Sequence, residues 1–171
     1  MSDVLEYRFI DKQDWGPGPW QDEPDKLQWL DEQTGLDCLA VRHPTYGHWC
    51  GYVGVPEGHP AYKQHYDSVP VDVHGGLTFG DGCREEDQPH GICHVPFPGR
   101  PEKVFWLGFD ACHAWDLQPA KESLFKSLGL PRLSAFTPVD RGEVYRDLPY
   151  IREECTSLAR QLKDLEIPVK E

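Results

Sequence analysis

KVFWLGFD, residues 103–110, decides the fold class. Six of its eight residues are apolar or glycine. The run is too short for a helix of its own and rich in the aromatic and branched side chains that suit a pleated surface, so it reads as a buried strand. Two further runs upstream read the same way. LDCLAVRH (36–43) and HWCGYVGV (48–55) flank the turn PTYG, which predicts a hairpin. VDVHGGLTF (71–79) reads as another strand, with Val71 and Val73 on one face and Asp72 and His74 on the other, because strand side chains alternate. Gly75-Gly76 inside it predicts a bulge or a close backbone approach.

Downstream, the period changes. Ile151, Cys155, Leu158, Ala159, Leu162 and Leu165 fall at offsets 0, 4, 7, 8, 11 and 14, one face of an amphipathic helix over about 148–166. Asp147 caps it, Pro149 fits its first turn and Pro168 stops it. Strands followed by a one-faced helix imply an α+β single domain over 1–171, an antiparallel or mixed central sheet covered by the C-terminal helix. Shorter helices are expected at 25–34, with Asp25 as cap and Leu27 and Leu30 inward, and near 119–128. A helical turn is expected at 59–66, and residues 15–26 form a Pro/Gly loop carrying Trp15 and Trp20.

Composition narrows the function classes. A chain of 171 residues buries enough surface to fold without a covalent staple. Sixteen Gly and sixteen Pro predict many turns. The net charge of -12 and the absence of any basic run argue against nucleic acid and against anionic membrane surfaces. No apolar run approaches the length of a membrane span, and MSDVLEYRFIDKQDW at the N-terminus lacks the features of a secretory signal. The six cysteines are therefore expected to be reduced thiols in a cytoplasmic protein.

All eight histidines lie between residues 43 and 113, so ligand-capable side chains crowd the central sheet. The sharpest pattern is DACHAWD (110–116), directly after the strongest strand. It sets Asp110, His113 and Asp116 at steps of three, on one face if the segment turns helically. Their oxygen and nitrogen donors suit Zn or another divalent metal, and His74 is placed to add a fourth ligand. An open metal site of that kind activates water, with Asp72 as general base. The same residues also admit a metal-free acid/base role or a structural hydrogen-bond network. Cys83, His90, Cys93 and His94 form a candidate structural zinc loop, without the usual paired spacing. His43 and His48 are placed to approach each other across the hairpin turn. Trp15, Trp20 and Tyr62 are candidate walls of a ligand pocket.

Five blocks together carry a resemblance: GPGPWQDEPDKLQW (16–29), GYVGVPEGHPAY (51–62), VDVHGGLTF (71–79), WLGFDACHAWD (106–116) and YRDLPYIREECTSLARQL (145–162). The chain resembles a family of bacterial and bacteriophage proteins of uncharacterised activity. The resemblance implies an intracellular protein, in the host cytoplasm where phage-borne, and supplies no reaction. Two readings of function stand side by side. One is a polar small-molecule site of His74, Asp110, His113 and Asp116, hydrolytic and metal-dependent in its sharpest form. The other is a binding or inhibitor protein that uses the Trp/Tyr loops to hold a host protein or a signalling nucleotide.

Overall fold

A computed structural model describes residues 4–83, 91–130 and 141–166. Six strands form one sheet in the order β1-β2-β3-β4-β6-β5. They are β1 (Val4–Tyr7), β2 (Lys26–Leu30), β3 (Asp37–Arg42), β4 (Trp49–Pro56), β5 (Phe79–Gly82) and β6 (Val104–Asp110). Every neighbouring pair is antiparallel. Helix α1 (Lys121–Ser127) is short, and α2 (Leu148–Asp164) packs on the sheet. The α+β architecture is therefore the one the periodicities imply. No helix among the described residues is long and apolar enough to cross a membrane.

The helix α2 is built as its sequence dictates. The Asp147 carboxylate accepts from the Tyr150 amide at the N-terminus, and Pro149 sits in the first turn, where its missing N–H is not needed. Ile151, Cys155, Leu158, Ala159 and Leu162 are all buried. They meet Leu27, Trp29, Val53, Leu107 and Phe109 from the facing strands. Each large side chain taken out of water there contributes about 1.5–3 kcal/mol. Gly51 on β4 allows the close approach: a Cβ there would stand 2.5 Å from the Phe109 ring and 2.9 Å from Cys155 Sγ, so a larger residue would force the core side chains between sheet and α2 to shift.

The opposite face of the sheet is different. It carries Leu39, Val41, Tyr52, Val104 and Trp106, and beside them the buried polar residues Lys26, Gln28 and Asp37. A strap of chain, residues 91–101, covers it. Gln28 exchanges two hydrogen bonds with Val95, 2.6 and 2.9 Å, and Lys26 Nζ donates to the Gly91 carbonyl at 2.8 Å. Arg100 pairs with Asp37 at 3.4 Å.

Four expectations are corrected. Residues 26–30 form a strand, not part of a helix over 25–34. Leu27 and Trp29 point to α2, while Lys26 and Gln28 are buried on the other face, so polar residues in a covered strand concealed the period of two. Asp25 is no helix cap. It accepts from the Phe9 and Ile10 amides, pairs with Lys12 at 2.8 Å and with Arg42 at 3.3 Å, and so ties the 8–25 loop to the hairpin. The 71–79 run is a loop until Phe79, because Gly75 and Gly76 both take positive φ and turn the chain. Residues 59–66, by contrast, turn as expected, with the Tyr62 amide on the His59 carbonyl and the Gln64 amide on the Ala61 carbonyl.

The fourth correction concerns the cysteines. Cys83, just after β5, and Cys93, in the strap, are joined in a disulfide, while Cys38, Cys50, Cys112 and Cys155 are free. The strap returns across the sheet edge and brings the two Cα atoms to 4.7 Å, within bonding range. Both sulfurs are thereby spent, which removes them as ligands of a structural zinc. His90 lies outside the described residues, and His94 packs edge-on against Trp106, centroids 5.2 Å apart.

Candidate functional site: two aspartate-backed histidines at one end of the sheet

The site forms where β6 ends. Asp110, its last residue, accepts from the Thr78 hydroxyl at 2.9 Å through one carboxylate oxygen and from the Cys112 thiol at 3.0 Å through the other. The chain then reverses in a turn closed by the Asp116 amide on the His113 carbonyl, 2.9 Å. That turn places His113 Nε2 3.2 Å from Asp110 Oδ1, without hydrogen-bond alignment. Asp116 faces inward and is buried. Its Oδ2 takes the His113 amide at 3.1 Å and His74 Nε2 at 2.7 Å; its Oδ1 takes Arg146 Nε at 3.0 Å.

His74 arrives on the 71–78 loop, which α2 fixes from below. Gln161 brackets Asp72 by its backbone amide and carbonyl, at 2.7 and 2.8 Å. Glu154 accepts from the His74 amide at 2.8 Å, and the Tyr150 hydroxyl meets His74 Nδ1 at 2.8 Å. Both ring nitrogens of His74 are thus engaged. Gly75 makes the second close approach: it has φ of +69°, and any Cβ would overlap the His113 ring. The two imidazoles end with centroids 5.7 Å apart. His74 is 13% exposed and His113 40%.

The electrostatics separate the groups. Burial pushes Asp116 up, but hydrogen bonds from His74, Arg146 and the His113 amide outweigh it and hold the carboxyl below the usual range. Asp110 behaves likewise, its burial overcome by Cys112, Thr78 and the neighbouring His113. Burial, with a smaller push from Glu154, raises the Tyr150 phenol. The Asp116 carboxylate can only accept, so the proton between it and His74 is carried on Nε2. The Cys112 thiol is raised to about 12 by burial and by Asp110, which leaves it protonated and a poor nucleophile.

His74, Asp110, His113 and Asp116 therefore come together. Asp72 does not join them: it is exposed, and among the described residues no polar contact of the cluster involves its carboxylate. The donors pair off as His74–Asp116 and His113–Asp110 instead of converging on one point, and among the described residues no three His, Cys, Asp or Glu are placed to hold an ion. Tyr150 and Glu154 on α2, Arg146 just before it and Thr78 before β5 also belong to the cluster; the sequence marks α2 only as a core helix, and nothing local points Arg146 or Thr78 to Asp116 or Asp110. His43 and His48 do approach each other across the hairpin turn, stacked with centroids 4.8 Å apart; His48 is buried there, and burial, aided by His43, lowers its imidazole to about 4.

Of the aromatic candidates, Trp15 and Trp20 line a groove of about 1490 Å³ with Leu117, Pro119 and Phe125. Tyr62 is elsewhere, packed on the α2 side of the sheet with Phe105 at 6.2 Å, and walls no part of that groove. No protein-family model, no curated protein and no solved structure matches the chain.

Proposed function

We propose that the chain acts on a small molecule at the His74/Asp110/His113/Asp116 cluster, by metal-free proton transfer in a hydrolytic reaction. The observation that carries this reading is the pair of carboxylate-backed imidazoles 5.7 Å apart. Splitting a bond with water needs one group to take a proton and another to give one, on two sides of the reacting atom. His113, the more exposed ring, is the group that meets substrate, with Asp110 as the counter-charge for its imidazolium. Asp116 holds His74 in one tautomer, and His74 is hydrogen-bonded to the Tyr150 hydroxyl, which is the second proton-carrying group. Arg146 restrains Asp116 from the far side.

The test is a panel of chromogenic carboxylic esters, phosphodiesters and amides, turned over by the wild type and by His113→Ala. Turnover that falls by about 10²–10⁴ in the variant and survives chelation supports the reading. Absence of turnover across the panel, with unperturbed imidazole resonances of His74 and His113, rejects it. A second reading then takes over, a binding protein, favoured by the Trp15/Trp20 groove, which exceeds the ~300–1,000 Å³ of ordinary small-ligand pockets and suits a peptide segment better.

A further inference from the structure

We propose that the Cys83–Cys93 disulfide is a redox latch, which holds the 91–101 strap on the second face of the sheet and releases it on reduction. Three observations carry this, and none depends on the reading of the histidine cluster. First, the crosslink ties the start of the strap to the end of β5, closing a loop of sequence separation 10. Second, side chains of the sheet grip the strap by polar contacts, Lys26 to Gly91, Gln28 twice to Val95, and Asp37 to Arg100.

Third, the surfaces under the strap do not satisfy one another. Among the described residues, Asp37 Oδ1, both ring nitrogens of His94, Arg100 Nε and Trp106 Nε1 are all buried without a hydrogen-bond partner. The Pro101 carbonyl lies close enough to act on His94 but out of hydrogen-bond alignment. Asp37, His94 and Trp106 are at least nine-tenths buried. Buried donors and acceptors left unpaired favour the open strap, in which water reaches them. What opposes opening is Ile92, packed on the apolar cluster of Leu39, Val41, Tyr52, Val104 and Trp106, together with the bonds above and the crosslink.

The step balances simply. A dithiol reductant delivers two electrons and two protons, the S–S bond becomes two thiols, and the reductant leaves as its own disulfide. Cys83 is half-buried at the strap's edge, so its sulfur is the one an attacking thiolate reaches first.

The experiment compares hydrogen–deuterium exchange of the full chain after diamide oxidation and after dithiothreitol. With the latch, reduction lowers protection in peptides over 91–101 by about a hundredfold, the loop-closure entropy of a ten-residue loop, while α2 keeps its protection. The double variant Cys83→Ser/Cys93→Ser reproduces the reduced pattern without reductant. Equal strap exchange in both redox states overturns the proposal. So does a loss of protection that spreads equally into α2, which marks general destabilisation. A thiol count of six after diamide treatment overturns it too, because the latch then never closes.

Discussion

The two faces of the sheet bury comparable stretches of chain by opposite means. On one, α2 lays Ile151, Leu158 and Leu162 on Leu27, Val53 and Phe109, and the contact is apolar throughout. On the other, the strap covers Lys26, Gln28 and Asp37 and buries its own His94, and the contact depends on hydrogen bonds, several of them unmade among the described residues. An apolar contact tolerates small shifts, because dispersion and burial vary smoothly with distance. A polar contact under cover is all or nothing: a donor that misses its acceptor loses its hydration and gains little. The α2 face is therefore the stable frame, and the strap face is where local opening starts.

Leu158→Asp breaks the frame most severely. It places an unpaired carboxylate where Leu158 is fully buried, and stability should fall by several kcal/mol, enough to unfold the domain. A denaturant midpoint close to that of the wild type would mean that α2 does not hold the sheet. Lys26 sharpens the contrast through pH. Burial lowers its ammonium from 10.5 to about 8. Below pH 8 both folded and unfolded chains carry the charge, and the desolvation penalty is fully present. Between 8 and 10.5 only the unfolded chain holds the proton, so stability should rise with pH, by roughly 3 kcal/mol in all. The stability of wild type relative to Lys26→Met, followed by urea unfolding across that range, isolates the effect, and a flat difference would show that the ammonium is solvated. Gln28→Ala is the smallest of the three. It removes both bonds to Val95 and should cost about 2 kcal/mol, with faster amide exchange in the strap and unchanged exchange in α2.

The same contrast explains what could be read in advance. The apolar face announced itself, since the offsets of α2, the hairpin flanking PTYG and the run at 103–110 all follow from burial against one apolar surface. The polar face gave no such sign. KLQWL hides a strand whose Lys and Gln are buried, and nothing local to Cys83 or Cys93 marks them as partners. The alternation of VDVHGGLTF predicts a strand position for His74, yet it stands on a loop, and it meets Asp116 because Glu154 and Tyr150 hold that loop onto the helix. Those partners lie 80 and 76 residues downstream, a separation that no local pattern spans. The close backbone approach expected at Gly75 did materialise, against His113.

That helix has a second duty with a kinetic consequence. Ile151, Cys155 and Leu158 fasten one side of α2 to the sheet, while Tyr150, Glu154 and Gln161 on its flank grip the 71–78 loop. The loop is exposed enough to fluctuate alone, but its anchors belong to the most deeply seated element of the fold. Heating should therefore disperse the histidine pair and melt the core on a single curve, with no temperature at which an intact sheet and helix carry a disassembled site.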